Sequence, residues 1–263
     1  MSLPPGLAIL LVDDSRAQRM AMRRLLERQR VATHVEEAGT VAEALYKAEA
    51  VTFDMMVLDV ELPDGSGLTL LQELRESGQE GFAVIVTARA DDQRMEAARR
   101  SGAYELLVKP FGPEEITKMV ETAVKARRLY RVLLADDSRA IRTVVKSVLG
   151  KTKIRMLIEE ADDGAEAWKS YNSQAHDIVF LDVYMPGLDG LDTLSRIKAR
   201  NPRAKVIMLS ATASDNDVAR ARAFGADAFL FKPFTAAEAE HVLQRVLGFT
   251  ASKLRAKPGG VQS

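Results

Sequence analysis

The chain has 263 residues, with 37 Lys plus Arg against 37 Asp plus Glu, so its formal net charge is zero at neutral pH. This balance argues against a global nucleic-acid-binding surface, and no apolar run approaches the roughly 18 residues of a membrane span. Because the chain has no cysteine, it has neither a disulfide framework nor thiolate chemistry. We expect a cytoplasmic protein that binds neither nucleic acid nor membrane.

Short apolar runs alternate with amphipathic helical patterns along the chain. The runs cover residues 8–12, 55–58, 83–86 and 104–108, and then 132–135, 178–181, 206–209 and 228–231. Unbroken apolar runs of this length are typical of strands buried on both faces of a parallel sheet. With weaker strands at about 33–37 and 156–160, each half has five predicted strands and five helices. This alternation predicts the α/β class, with a doubly wound, parallel five-stranded sheet in each half.

Each half carries an acidic pair, a further aspartate, a hydroxyl residue and a lysine. The two sets lie a constant 123 positions apart, and they are Asp13, Asp14, Asp59, Thr87 and Lys109, and then Asp136, Asp137, Asp182, Ser210 and Lys232. A constant offset over a domain length predicts a duplicated module without net insertion. We expect domains at 1–128 and 129–249, followed by a disordered tail at 250–263.

The shared residues follow predicted strands, at the sheet edge where open α/β sheets bind ligands. The acidic pair follows the first strand, the aspartate the third, the hydroxyl the fourth and the lysine the fifth. Carboxylates gathered there repel, at roughly 4 kcal/mol for a pair 4 Å apart, so the cluster needs a compensating cation. Oxygen ligands without His or Cys favour Mg²⁺ or Mn²⁺. Metal, lysine and hydroxyl together can stabilise a transferring phosphoryl group, with one carboxylate as its acceptor.

Four motifs recur in both halves: the paired acids, LDVxxP at the third strand, Thr-Ala or Ser-Ala after the fourth, and KPF after the fifth. On these motifs both halves resemble the receiver domain of two-component response regulators, over about residues 7–125 and 130–249. The resemblance implies two flavodoxin-like (βα)5 domains. It also implies that Asp59 and Asp182 accept phosphoryl groups from a sensor histidine kinase or a histidine phosphotransfer protein.

The resemblance further implies a role for the other shared residues. Those that contact the phosphoryl group are Thr87, Lys109, Ser210 and Lys232. The implied Mg²⁺ site consists of Asp13, Asp14, Asp59 and the carbonyl of Glu61, and then of Asp136, Asp137, Asp182 and the carbonyl of Tyr184. Within it, the resemblance implies that Asp14 and Asp137 bind the ion directly and that Asp13 and Asp136 act through water.

The resemblance also implies a conformational switch. In that family the hydroxyl residue moves toward the phosphoryl group, and an aromatic residue on the fifth strand turns inward. The aromatic position is Phe229 in the second half but Leu106 in the first. The first half therefore departs from the family pattern at one switch position.

We expect a response regulator that switches protein–protein interactions and catalyses only its own aspartyl phosphorylation and dephosphorylation. Expected partners are the phosphoryl donor, a downstream protein and a second copy in a homodimer. Two alternatives stay open: the chain is the receiver part of a longer regulator such as a diguanylate cyclase, or one receiver is only an adaptor surface. A phosphohydrolase of the haloacid dehalogenase type is less favoured, because that class places its acids as DxD, whereas Asp13 and Asp14 are adjacent.

Overall fold

The computed structural model describes residues 6–249 except 30, 32 and 213. These residues form two compact units, one ending at Arg127 and the other spanning Arg128–Phe249. The domain limits drawn from the sequence stay a prediction, and the expected tail at 250–263 lies outside the described residues.

The first unit contains one parallel sheet with the strand order β2-β1-β3-β6-β7. Its elements in chain order are β1 Leu7–Val12, α1 Arg16–Glu27, β2 Thr33–Ala38, α2 Val41–Ala50, β3 Met55–Asp59, β4 Glu61–Leu62, β5 Gly65–Ser66, α3 Gly67–Glu76, β6 Phe82–Thr87, α4 Asp92–Arg100, β7 Glu105–Val108 and α5 Pro113–Arg127. The two-residue strands β4 and β5 form an antiparallel hairpin outside that sheet. The sequence analysis did not predict this hairpin.

The second unit repeats the arrangement, with the strand order β12-β11-β10-β8-β9 and parallel pairing throughout. Its elements are β8 Tyr130–Ala135, α6 Arg139–Leu149, β9 Met156–Ala161, α7 Gly164–Ser173, β10 Ile178–Asp182, α8 Gly190–Arg200, β11 Val206–Ser210, α9 Asp215–Ala223, β12 Ala228–Phe231 and α10 Ala236–Val246. The predicted fold class, two doubly wound α/β domains with five-stranded parallel sheets, is confirmed.

Apolar side chains cover both faces of each sheet. The central strands β3 and β10 are buried at every residue, and α5 buries Ile116, Met119, Val120 and Ala123 on one stripe against the sheet. Burying a side chain of this size stabilises the fold by roughly 1.5–3 kcal/mol. In the part of the chain that the structure describes, every helix falls short of the length and hydrophobicity of a membrane span.

The strand order locates the ligand-binding crevice. In the first unit the chain passes from β1 outward to β2 and then returns to β3 on the other side of β1. The helices on either side of this switch point diverge, which leaves a crevice outside the carboxyl ends of the two strands. Asp13 directly follows β1 and Asp59 is the last residue of β3. The second unit places Asp136 and Asp182 at the equivalent point.

Candidate functional site

A lysine joins two aspartates at the switch point of the first unit. The Nζ atom of Lys109 donates to Oδ2 of Asp13 at 2.8 Å and to Oδ2 of Asp59 at 2.6 Å. Both carboxylates are buried, with 6% and 8% of their surface exposed. The other oxygen of Asp13 accepts from the backbone nitrogen of Ser15 at 2.9 Å, which fixes this carboxylate at the start of α1. The structure therefore brings together residues that lie 96 and 50 positions apart.

The second unit repeats this geometry. The Nζ atom of Lys232 donates to Oδ2 of Asp136 at 2.5 Å and to Oδ1 of Asp182 at 2.6 Å. Asp136 also accepts from the backbone nitrogen of Ser138 at 2.9 Å. Both lysines precede a proline through a cis peptide bond. The two units thus hold an equivalent ammonium between equivalent carboxylates.

Burial and charge act in opposite directions on these groups. Burial raises the pKa of Asp59, Lys109 lowers it, and the neighbouring Asp13 raises it again, with a raised value as the outcome. The pKa of Asp182 is also raised, and burial is again the largest cause. Burial alone would lower the pKa of Lys109, but its two carboxylate partners raise it overall. Lys109 therefore stays charged, while the buried carboxylates of Asp59 and Asp182 favour additional positive charge nearby.

The acidic side chains of the first unit suit a hard divalent cation. One oxygen each from Asp13, Asp14 and Asp59 lies within 4.8 Å of the others. Adjacent ligands of an octahedral Mg²⁺ lie roughly 3 Å apart and opposite ligands roughly 4 Å apart, so small side-chain movements would bring these three oxygens to positions in such a shell. The donor set consists of oxygens alone, which Mg²⁺ prefers. Among the described residues, Asp136, Asp137 and Asp182 do not form a group at this spacing.

Glu61 and Tyr184, whose carbonyls are the expected metal ligands, lie beside Asp59 and Asp182. The backbone nitrogen of Glu61 donates to Asp59 at 3.5 Å, and that of Tyr184 donates to Asp182 at 3.2 Å. The hydroxyl residues Thr87 and Ser210 end the neighbouring strands β6 and β11 and are both 1% exposed. All the predicted positions therefore lie at one edge of their own sheet.

The position at which the resemblance implies an aromatic switch residue lies on β7 in the first unit and on β12 in the second, and its side chain differs between them. Leu106 is buried within the apolar cluster under the sheet. Phe229 is half-buried, and its ring lies 5.1 Å from the ring of Phe231, which is 53% exposed. The second unit therefore presents aromatic surface at a place where the first unit has aliphatic side chains.

Sequence reasoning missed an arginine that supports the acidic loop in each unit. Nη1 of Arg19 donates to the carbonyl of Asp13 at 2.6 Å, and Nη1 of Arg142 donates to the carbonyl of Asp136 at 2.7 Å. Each arginine also pairs with a glutamate on the adjacent strand, at 3.2 Å and 2.9 Å. Arg19 and Arg142 differ by the same 123 positions as the acidic residues, and this offset was the signal that could have found them.

A glycine begins the helix that follows Asp59 and the helix that follows Asp182, for a steric reason. A Cβ atom on Gly67 would lie 2.0 Å from the carbonyl oxygen of Asp59, and one on Gly190 would lie 1.9 Å from that of Asp182. No side chain fits at these distances, so α3 and α8 can approach the ends of β3 and β10 only with glycine there.

Comparison with known proteins gives three results. The family model for the response regulator receiver domain matches residues 9–121 and 132–244. Chemotaxis protein CheY of Listeria monocytogenes (serovar 1/2a, strain ATCC BAA-679 / EGD-e) is 39% identical over 116 residues, which is 44% of this chain and 94% of that protein. CheY of Bacillus subtilis (strain 168) is 34% identical over 117 residues, again 44% of this chain and 94% of the relative.

A solved structure extends the fold comparison to both units. A two-component system response regulator/GGDEF domain protein is 24% identical, with a TM-score of 0.57 over 92% of this chain and 99% of that chain. At this identity the similarity shows the fold alone.

The two doubly wound sheets, each with a lysine-bridged acid cluster at its switch point, define a phosphoacceptor class of signalling domain. The chain belongs to the response regulator receiver domain family and carries two copies of that domain. Receiver domains of this family accept phosphoryl groups from histidine kinases or phosphotransfer proteins in two-component signalling. We refer to the units below as the first and the second receiver.

Proposed function

We propose that this response regulator accepts phosphoryl groups on Asp59 in the first receiver and on Asp182 in the second. The observation that carries the proposal is the contact of a lysine ammonium with each aspartate, at 2.6 Å in both receivers. An ammonium at this distance can neutralise charge on the oxygens of a phosphoryl group transferred to the carboxylate. A charged residue on a distant part of the surface could not act in this way, because the Coulomb interaction weakens with distance.

The transfer follows from the position of the carboxylate. An oxygen of Asp59 attacks the phosphorus of a phosphohistidine, a P–O bond forms and the P–N bond breaks, and the imidazole leaves with the bonding electron pair and takes up a proton. Lys109 and the hydroxyl of Thr87 then stabilise the phosphoryl oxygens. In the first receiver, Asp13, Asp14, Asp59 and the carbonyl of Glu61 would hold a Mg²⁺ ion, which would neutralise charge on the phosphoryl oxygens. The equivalent set in the second is Asp136, Asp137, Asp182 and the carbonyl of Tyr184.

The proposed partners follow from this chemistry. A sensor histidine kinase or a histidine phosphotransfer protein supplies the phosphoryl group, and a downstream protein or a second copy of the chain binds the phosphorylated form. The protein acts in the cytoplasm and catalyses only its own aspartyl phosphorylation and dephosphorylation. That the chain is the receiver part of a longer regulator stays a prediction.

Labelling with ³²P-acetyl phosphate and Mg²⁺ tests the acceptor assignment. We expect Asp59→Asn and Asp182→Asn each to remove part of the acid-labile label, and the double variant to remove all of it. The matched controls are Asp92→Asn and Asp215→Asn, which alter acids in the first turns of α4 and α9. Undiminished label in the double variant would refute the assignment.

A second candidate is that one receiver serves only as an adaptor surface. Leu106 at the first receiver's switch position favours this reading for that receiver. The single variants separate the two readings, because an adaptor receiver would take up no label when the other acceptor is blocked.

A further inference from the structure

An arginine contacts the signalling hydroxyl of the first receiver. Nη1 of Arg94 donates to Oγ1 of Thr87 at 3.1 Å, and Nη2 donates to Oε1 of Glu61 at 3.4 Å. The Nε atom lies 3.8 Å from a carboxylate oxygen of Asp91. Arg94 is the third residue of α4, where a positive charge opposes the helix dipole. Its acidic neighbours offset that cost and hold the guanidinium in place.

These contacts occupy the hydroxyl of Thr87. It donates to the carbonyl of Arg89 at 2.9 Å and accepts from the backbone nitrogen of Arg89 at 3.3 Å, in addition to the bond from Arg94. A hydroxyl has one proton to donate, and here that proton is committed to a backbone carbonyl. To donate to a phosphoryl oxygen on Asp59, Thr87 has to leave both the Arg89 carbonyl and the fixed guanidinium.

The second receiver has no equivalent of this arginine. The position 123 residues after Arg94 is Asp217, and its carboxylate accepts from the hydroxyl of Tyr184 at 2.6 Å and from the hydroxyl of Ser214 at 2.7 Å. The hydroxyl of Ser210 accepts from the backbone nitrogen of Thr212 at 3.2 Å. The two receivers therefore connect the same two segments through different chemistry: the loop after Asp59 or Asp182 and the start of α4 or α9.

We propose that Arg94 is a positioning residue that holds Thr87 in the orientation it has while Asp59 is unphosphorylated. This restraint is specific to the first receiver. The inference rests on the proposed function, because it assumes that Thr87 contacts a phosphoryl group on Asp59. Removing the guanidinium eliminates one hydrogen bond that the Thr87 hydroxyl accepts in the unphosphorylated state. It leaves the contacts of Thr87 in the phosphorylated state unchanged. The first receiver then binds a phosphoryl mimic more tightly.

Beryllium fluoride is the probe, titrated at saturating Mg²⁺ into the full chain carrying Asp182→Asn, with bound fluoride measured by ¹⁹F NMR. We expect Arg94→Ala to tighten binding about 3-fold, the scale of one partly exposed hydrogen bond. Arg94→Lys, which keeps the charge but not the forked geometry, should lie between Arg94→Ala and native. Arg100→Ala, on the exposed end of α4 where Arg100 pairs with Glu96, should bind as the native chain does.

A double-mutant cycle with Thr87→Ala separates positioning from a direct charge effect. If Arg94 acts through Thr87, Arg94→Ala has no effect in the Thr87→Ala background. Weaker binding by Arg94→Ala, or an undiminished effect without the threonine hydroxyl, overturns the inference. A chain with native Arg94 that binds no beryllium fluoride would instead contradict the proposed function itself.

Discussion

The ammonium nitrogen of Lys232 lies 2.6 Å from Oδ1 of Asp182, yet the pKa of this buried carboxyl is raised above its ordinary value of 3.8. Burial is the largest cause and outweighs the lysine, and the carboxylate of Asp136 adds repulsion. The carboxylate of Asp182, the proposed acceptor, is therefore a charged group whose burial costs the folded protein stability. A protein that keeps such a group gains reactivity rather than stability from it.

Asp182→Asn should consequently stabilise the second receiver at neutral pH. A carboxyl with a raised folded-state pKa binds its proton more tightly in the folded state, so stability falls as the pH rises from 3.8 through that raised pKa. We expect the free energy of unfolding of the variant to exceed that of the native chain by on the order of 1 kcal/mol at pH 7. This difference should vanish near pH 3. Urea unfolding followed by the fluorescence of Trp168, the single tryptophan, measures it. A gain that persists at low pH would contradict the burial argument.

Mg²⁺ binding should depend on the exposed member of each acidic pair. Because Asp14 and Asp137 supply carboxylate oxygens to the proposed ligand sets, Asp14→Asn and Asp137→Asn should each weaken one site by at least about 10-fold. Isothermal titration calorimetry of the native chain and both variants resolves the sites. The Asp92→Asn and Asp215→Asn variants should bind as the native chain does. An unchanged isotherm for Asp14→Asn would argue against the first site, where the structure already gathers three carboxylates.

Arg142→Ala should destabilise the second receiver by about 2 kcal/mol, because it removes the guanidinium donor to the carbonyl of the buried Asp136 and one of the two cations that pair with Glu160. The guanidinium is 8% exposed and contacts Glu160 at 2.9 Å, Asp162 at 2.5 Å and the carbonyl of Asp136. Trp168 fluorescence in urea again provides the measurement. Arg139→Ala, which removes an exposed arginine from the same helix, is the matched control and should change stability little. Equal losses from both variants would contradict the role of these contacts, because Arg139 and Arg142 share only their position on the same helix.

Gly67→Ala should displace the start of α3 from the first acceptor. The new methyl group would overlap the carbonyl of Asp59, and relieving that overlap requires movement of the backbone that carries the acceptor. We expect a loss of about 2 kcal/mol or more by urea unfolding followed by circular dichroism, and slower labelling of Asp59 in the Asp182→Asn background. Gly112→Ala is the control, since its Cβ would meet only the flexible end of Glu115 at 3.4 Å. A Gly67→Ala variant that labels at the native rate would contradict the steric argument.

Repetition and periodicity made the fold and the acid clusters predictable. Apolar runs marked the sheet strands, and the carboxyl ends of parallel strands necessarily meet at one edge. The hairpin of β4 and β5 was missed because two-residue strands carry no period. Asp64 lies in the turn between β4 and β5, and its carboxylate accepts from the backbone nitrogens of Val41 and Ala42, which begin α2, at 2.8 Å and 3.1 Å. Neither repetition nor periodicity predicts this contact between separate segments.

The primary structure alone determined that this is a twofold repeat with an acidic pair, a further aspartate, a lysine and a hydroxyl residue in each copy. Chain connectivity and hydrophobic burial are enough for that, because they decide which strand ends are neighbours. Tertiary structure decided which side chains join the loop after Asp59 or Asp182 to the start of α4 or α9. Arg94 reaches Thr87 and Glu61 in one receiver, while Asp217 reaches Tyr184 in the other. Such contacts depend on side-chain direction and on distances of a few ångström between separate loops, and neither residue spacing nor periodicity encodes them.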